Sequence, residues 1–191
     1  MLIGITGIIG SGKTFIGNML KKMGYVVYDS DDFVKQAYLK NNIKVLLNKE
    51  FGCVIEDRVD KQIIKNEIIK NHQKLQQLNE IIHPDVISSI LEIKRNNLNQ
   101  LVFVEIPLLF ECNLQIYCDY TIAVLIDEEM QQKQLKNRDE KNYEFMKILL
   151  NEQFSQEKKA SMANTTIQNQ KDLQKVYHSL ESLVAKLQEI R

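Results

Sequence analysis

The stretch GIIGSGKT, residues 7–14, decides the fold of this chain. It fits the pattern G-x-x-x-x-G-K-[ST]. It follows a short apolar run, residues 2–6, and precedes a segment with apolar residues at helical spacing. Glycines let backbone N–H groups close around a phosphate, and the start of the helix adds partial positive charge. A strand, this loop and a helix together predict a site for the phosphates of a nucleoside triphosphate.

The loop predicts both a donor substrate and a metal. We expect ATP to bind along the loop, with Lys13 on the β- and γ-phosphate oxygens and the Thr14 hydroxyl on Mg²⁺. The predicted phosphate-binding residues are Gly7, Ile8, Ile9, Gly10, Ser11, Gly12, Lys13 and Thr14.

Bulk properties narrow the class of protein. The chain has 191 residues, of which 44% are hydrophobic, so it can bury one sizeable core. Its 25 basic and 25 acidic residues balance, which argues against nucleic-acid binding through bulk charge. No apolar run is long enough to span a bilayer, and no signal peptide is recognisable. Three cysteines without a CxxC pair favour reduced thiols in a cytoplasm.

Four further strands are predicted from apolar runs at 25–28, 101–105, 120–126 and 165–167. Helical patterns fill most of the chain between them, and the dipeptide His83-Pro84 is expected to separate two helices. A last amphipathic helix, from Leu173 to Ile190, is expected to pack on the core. Apolar strands alternating with helices predict an α/β fold with a five-stranded parallel sheet between two helical layers.

Carboxylates stand where ligands bind in such a sheet, beyond the carboxyl ends of the strands. Glu105 ends the run LVFVE and is either a magnesium-organising acid or an ordinary strand-end carboxylate. Asp29 and Asp31 end the second strand. One of them could engage a substrate hydroxyl and the other cap a helix, and position alone leaves open which does which.

Three kinds of protein could carry a loop of this type. A nucleoside or nucleotide kinase would share loop, lid and sheet. A regulatory GTPase would need an N-K-x-D element, whereas the chain has Asn169-Gln170-Lys171-Asp172 in the wrong order. A scaffold protein with a degenerate loop is disfavoured because Lys13 and Thr14 are intact.

Several stretches in order resemble one family. They are TGIIGSGKT at 6–14, DSDDFVK at 29–35, His83-Pro84, IPLLFE at 106–111, Arg138-Asp139 and ANTTIQN at 163–169. The chain resembles the dephospho-coenzyme A kinase family over nearly its whole length. The resemblance implies a P-loop kinase fold with a nucleotide-binding core (1–32, 100–126 and 160–191), a helical substrate-binding insertion (33–99) and a helical lid (127–159).

The resemblance also implies an activity and residue roles. The activity is transfer of the ATP γ-phosphate to the 3′-hydroxyl of dephospho-coenzyme A, by a monomer or weak homo-oligomer. The implied catalytic residues are Asp31, Lys13 and Arg138; Arg138 by itself, on a polar helix, would otherwise suggest only a solvated face. Asn169 is expected near adenine, and Lys35, His83, Leu108 and Glu111 are expected to contact the substrate together with Asp31. Thr14 and Glu105 are expected to hold Mg²⁺, Glu105 through water.

The sequence departs from the family pattern at four places. Glycine usually stands at the position of Ile8, and arginines usually stand at the positions of Lys35, Ile87 and Leu149. Lys35 keeps a charge but lacks the planar fork that holds a phosphate through two bonds. Leucine at 149 cannot donate to a phosphate, and Lys147 is the neighbouring cation that could compensate.

Overall fold

The computed structural model describes residues 1–136 and 143–190. Its main sheet has five parallel strands, as predicted: β1 (Leu2–Thr6), β2 (Val26–Asp29), β5 (Val102–Glu105), β6 (Tyr120–Ile126) and β7 (Thr165–Asn169). Across the sheet they lie in the order β2-β5-β1-β6-β7. A separate hairpin is formed by β3 (Val54–Ile55) and β4 (Arg58–Val59).

The helices of the described residues follow the alternating pattern. They are α1 (Lys13–Lys22), α2 (Ser30–Ala37), α3 (Asn41–Phe51), α4 (Lys61–Lys70), α5 (Gln73–Asn96), α6 (Glu128–Lys136), α7 (Tyr143–Glu152), α8 (Gln156–Met162) and α9 (Leu173–Glu189), with a short 3₁₀ helix at Leu114–Tyr117. No helix within the described residues is long and apolar enough to cross a membrane.

Two hydrophobic clusters cover the two faces of the sheet, which gives the predicted three layers. On one face, α1 and α9 bury Ile16, Leu20, Val176 and Leu180 against β1, β5 and β6. On the other, the helices of residues 30–96 pack against alternate strand residues such as Val104. The last helix therefore packs on the core, as expected from its apolar stripe.

The register of the sheet gathers the ends of three strands. Ile5 of β1 pairs with Glu105 of β5, and Glu105 pairs with Asp29 of β2. All three strands run in the same direction, so the glycine loop, Glu105 and Asp29 leave the sheet at one edge.

The expected helix break at His83-Pro84 is wrong, because both residues lie inside α5. Proline removes one intrahelical hydrogen bond and usually ends or kinks a helix. Here Leu75 and Ile82 before the proline and Val86 and Ile90 after it all join one buried cluster. Continuous packing along this face outweighs the cost of the lost bond.

The short hairpin was missed because its turn lacks the usual signal. Two-residue hairpin turns favour Asn-Gly or Asp-Gly, since both central residues need positive φ. This turn uses Glu56 and Asp57, with φ of 46° and 62°. Nothing in the local residue types indicates such a turn.

Candidate active site

The glycine loop joins the end of β1 to the first residue of α1, and its shape depends on a residue far away in sequence. Gly12 precedes α1 in a left-handed conformation, with φ of 88°. A Cβ at Gly12 would also overlap the side-chain amide of Asn169. That amide donates to the Ser11 carbonyl oxygen at 2.9 Å, and Asn169 is buried. Asn169 at the end of β7 therefore holds the loop, while its adenine contact stays a prediction.

The Lys13 side chain folds back over the glycine loop that precedes it in the chain. Its ammonium donates to the carbonyl oxygens of Gly7 and Ile8, at 2.9 and 3.2 Å. The residue also lines the large cavity of the molecule. A positive charge is thus held at the loop, beside the start of α1, where an anion is favoured.

Glu105 approaches α1 closely enough to bond with the residue after Lys13. The Thr14 hydroxyl donates to Glu105 Oε2 at 3.1 Å. Gly17, one turn further along α1, has no side chain in the way, and an added Cβ would overlap Glu105 Oε1. Burial raises the pKa of the Glu105 carboxyl. A hydroxyl and a carboxylate are hard oxygen donors, and this pair fits Mg²⁺, which takes few protein ligands and keeps waters and phosphates.

The structure shows which aspartate caps the helix, although both Asp29 and Asp31 line the cavity. Asp29 caps α2, because its Oδ1 accepts the backbone N–H of Asp31 at 2.9 Å. Asp31 lies in the first turn of α2 on the wall of the cavity, open to water on one side. Enclosure by the surrounding protein, and next the carboxylate of Asp29, raise the pKa of Asp31.

One cavity of about 590 Å³ joins these groups to the helical insertion. Its polar end holds Lys13, Thr14, Asp29, Asp31 and Glu105. Its other end is mostly apolar and is lined by Val34, Tyr38, Leu75, Leu78, Ile82, Val86, Leu114, Phe145, Met146 and Leu149. The cavity can thus hold a polyanion at one end and a largely apolar group at the other.

The predicted substrate residues fall into two groups. His83 and Leu108 line the cavity, and burial lowers the pKa of His83. Lys35 does not line it; its exposed ammonium pairs with Asp32 at 2.6 Å. Glu111 does not line it either, because its carboxylate is committed to a buried ion pair.

That ion pair is the centre of a polar cluster that sequence reasoning missed. Lys159 of α8 is completely buried and lies 2.7 Å from a Glu111 oxygen. Its ammonium also donates to the Pro107 carbonyl oxygen at 2.9 Å and to the Thr6 hydroxyl at 3.3 Å. Glu111 in turn accepts the Phe154 N–H at 2.7 Å. The cluster ties the root of the glycine loop, the 107–111 loop and the start of α8 together.

Two glutamines that the sequence analysis also missed bind the loop from outside. Gln153 Oε1 accepts the Ile9 N–H at 2.9 Å, and Gln131 Nε2 donates to the Ile9 carbonyl oxygen at 2.8 Å. Their sequence distance from the loop exceeds 120 residues in both cases. The residue types around them do not indicate which backbone group either glutamine bonds.

Arg138 and Asp139 lie outside the described residues, so the role of Arg138 stays a prediction. The three cysteines are free, and Cys112 alone among them lines the cavity. Burial raises the pKa of the Cys112 thiol to about 11, which keeps it protonated at neutral pH.

The model of the dephospho-CoA kinase family matches residues 1–175 of the chain. The chain belongs to the dephospho-CoA kinase family. Membership makes it an ATP-dependent kinase, a transferase of coenzyme A biosynthesis, and ATP is its phosphoryl donor. The resemblance seen in the sequence is thereby confirmed.

Individual relatives agree with this placement. A dephospho-CoA kinase from Fusobacterium nucleatum subsp. nucleatum is 32% identical over 184 residues, which cover 95% of each chain. The crystal structure of TT1252 from Thermus thermophilus is 28% identical with a TM-score of 0.81, covering 98% of this chain and 97% of the other. A dephospho-CoA kinase from Campylobacter jejuni, 21% identical with a TM-score of 0.71, covers 97% and 96% and supports the fold alone.

Two of the departures from the dephospho-CoA kinase pattern have a clear structural setting. Leu149 lines the apolar part of the cavity, and Ile87 packs against the core of the insertion. Lys147 is exposed and does not line the cavity, so the described contacts give no support to its compensating for an arginine.

Proposed function

We propose that the protein transfers the γ-phosphate of ATP to the 3′-hydroxyl of dephospho-CoA, giving CoA and ADP, with Asp31, Lys13 and Arg138 as the catalytic residues. One observation carries the residue assignment: Lys13 of the glycine loop and Asp31 of α2 line a single cavity that continues into an apolar chamber. A phosphate donor and a long acceptor with a sugar hydroxyl can meet there.

The donor phosphates bind along residues 7–14. Backbone N–H groups at the start of α1 and the Lys13 ammonium supply positive charge for them. Lys13 exchanges its contacts with the Gly7 and Ile8 carbonyl oxygens for phosphate oxygens, and this loss is offset by a charge-assisted bond. Arg138 is proposed to reach the same phosphates from the lid, and Asn169 to lie near adenine.

Asp31 engages the acceptor hydroxyl. The hydroxyl oxygen forms a bond to the γ-phosphorus while the bond from that phosphorus to the β–γ bridging oxygen breaks, and the proton passes to Asp31. The raised pKa of Asp31 suits this role, because a general base works best when its pKa lies closer to the operating pH. Lys13 stabilises the charge that develops on the transferred group.

Mg²⁺ is proposed as the metal, held by Thr14 directly and by Glu105 through water. When bound, it neutralises charge on the phosphates. Glu105 is well placed for this because it already accepts the Thr14 hydroxyl and is buried beside Gly17.

The acceptor is proposed to lie between the helical insertion (33–99) and the lid (127–159), on a core of residues 1–32, 100–126 and 160–191. His83 and Leu108 contact it directly, since both line the cavity. Lys35 and Glu111 are kept as proposed substrate contacts, although each has a charged partner within the protein. The apolar side chains of Phe145, Met146 and Leu149 exclude water, which would otherwise compete as the acceptor.

The setting is proposed to be the cytoplasm, where the free cysteines would stay reduced. A monomer or weak homo-oligomer, without nucleic acid or membrane, is proposed as the working form. Sedimentation of the purified protein with and without ATP tests the oligomeric state.

The activity test uses purified protein, ATP and Mg²⁺ with dephospho-CoA among a panel of nucleosides and nucleotides. ADP release is followed and products are weighed by mass spectrometry. One added phosphate on dephospho-CoA is expected, and Asp31→Asn is expected to lose it while still binding ADP. A product on a nucleoside alone would overturn the acceptor assignment, and a fully active Asp31→Asn protein would overturn the role of Asp31.

A further inference from the structure

Two side chains from outside the glycine loop bond the backbone in its middle, one as a hydrogen-bond donor and the other as an acceptor. Ile9 is the residue concerned, and both of its backbone polar groups are bonded. Gln131 comes from α6, and Gln153 follows directly after α7. Both helices belong to the proposed lid, residues 127–159. The loop is therefore tied to two lid helices through a single residue.

The backbone partners fix the orientation of both amides. The Ile9 carbonyl oxygen can only accept, so Gln131 must present its NH₂ group. The Ile9 N–H can only donate, so Gln153 must present its oxygen. Each glutamine is half-buried, and so is Ile9, so an unmade bond here is costly. The two positions thus have opposite requirements, although the residues are identical.

The loop has little means of fixing its own shape. Three of the six residues between β1 and α1 are glycines, and the bond from the Ser11 N–H to the Ile8 carbonyl oxygen closes one turn. Helix α6 also packs directly on the loop, because a Cβ added to Gly10 would lie 3.2 Å from Gln131 Cγ. Lys13 bonds Gly7 and Ile8, and Asn169 bonds Ser11, so the bonds at Ile9 fix the remaining middle part of the loop relative to α1.

We propose that Gln131 and Gln153 are positioning residues that act through Ile9: they hold the phosphate-binding loop and the two lid helices in one mutual arrangement. The proposal rests on the proposed function only in taking residues 7–14 as the phosphate site. Losing either bond lets the loop move at Ile9, so phosphate binding weakens.

The first test is ADP binding by calorimetry without any acceptor. Gln131→Ala and Gln153→Ala are each expected to weaken ADP binding about tenfold, the effect of one lost bond of roughly 1.4 kcal/mol. Combined, they are expected to lose less than the product of the two, because both act on Ile9. Gln131→Met keeps the length of the side chain and decides the question if Gln131→Ala fails to fold. Unchanged or tighter ADP binding in the variants would overturn the proposal.

The second test uses the opposite polarity of the two sites. Gln153→Glu keeps an acceptor for the Ile9 N–H, so the nucleotide-free protein should melt near the wild-type temperature. Gln131→Glu removes the donor and sets a carboxylate against a carbonyl oxygen, so its melting temperature should fall. Asn151→Asp adds the same charge at an exposed position two residues before Gln153 and serves as the control. Equal melting temperatures for the two glutamate variants would contradict the assignment.

Steady-state kinetics separate positioning from general damage. The alanine variants are expected to raise KM for ATP and to leave KM for dephospho-CoA within about twofold. An equal rise in both constants would show a general structural defect and overturn the proposal. Wild-type protein that binds ADP but leaves dephospho-CoA unphosphorylated would overturn the proposed function, while the ADP measurements would still test the role of the glutamines.

Discussion

The glycine loop and the buried cluster of Thr6, Pro107, Glu111 and Lys159 adjoin each other at the end of β1, yet they use a lysine in opposite ways. Lys13 holds its charge on the wall of a cavity, where its ammonium donates to the carbonyl oxygens of Gly7 and Ile8. Lys159 holds its charge where water cannot reach it, against a carboxylate. One lysine is placed to meet a ligand, and the other satisfies the protein itself. We therefore expect Lys13 to control activity and Lys159 to control stability.

The largest effect is expected at Lys13. Lys13→Ala should lower kcat by about 10⁴-fold, since electrostatic stabilisation of the transferred phosphoryl group is lost. Its melting temperature should stay close to that of the wild type, because Lys13 lies on the wall of the cavity and not in either hydrophobic cluster. Kinase assays and thermal melts measure both. Residual activity within tenfold of the wild type would contradict this account of the loop.

The second-largest effect is expected when the buried positive charge of Lys159 is removed. Lys159→Met should destabilise the protein by about 3–5 kcal/mol, because Glu111 is left buried without its partner. For a chain of this length, that lowers the melting temperature by about 10 °C. The exposed Lys175→Met is the matched control.

A double variant sharpens the same comparison. Lys159→Met combined with Glu111→Leu should recover part of the stability, since no isolated charge remains. If the double variant melted lower than Lys159→Met alone, the cost would lie in packing and in the lost bonds to Pro107 and Phe154, and the assignment to a buried charge would be wrong.

A smaller loss of rate is expected when Asp31, the proposed base for the acceptor hydroxyl, is replaced. Asp31→Asn should lower kcat by about 10²-fold or more, the range for a general base. In the wild type, the rate should fall as the pH drops through the raised pKa of Asp31, so the acid limb should lie above the ordinary aspartate value of 3.8. A limb at or below that value would mean that Asp31 does not set the acid dependence.

Gly17→Ala should act on the metal site at a cost of about 1–3 kcal/mol in stability, the usual range for overpacking. The added methyl group displaces Glu105 from the Thr14 hydroxyl, so more Mg²⁺ should be needed for half-maximal rate. Asn18→Ala, exposed on the same helix, is the control. An unchanged Mg²⁺ requirement would separate Glu105 from the metal.

The smallest effect is a gain in stability. Because folding raises the pKa of Asp31, the folded state binds more protons than the unfolded chain between the two pKa values, and stability falls as the pH rises through them. Asp31→Asn removes this cost, so the nucleotide-free variant should melt slightly higher than the wild type at pH 7. The difference should vanish near pH 4 and below. A lower melting temperature at pH 7 would contradict the raised pKa.

Local patterns predicted most of the fold and the polar end of the site. Strand runs, the glycine loop and the acids at strand ends depend on residues close together in the chain. The break at Pro84 was wrong because packing on both sides of it is a tertiary effect. The hairpin at Glu56 and Asp57 was missed because those residue types do not indicate positive φ.

The sequence by itself predicted a phosphate-binding loop at residues 7–14, and it determined that the sheet is parallel and that the chain resembles dephospho-CoA kinases. Spacing and residue type suffice for these, since each arises within a few turns of chain. Only the tertiary structure decided that Asp29 caps α2, that Asn169 and two glutamines hold the loop, and that Glu111 bonds Lys159. Those bonds join residues distant in the chain, and polar side chains with many possible partners acquire one only when the core brings them together.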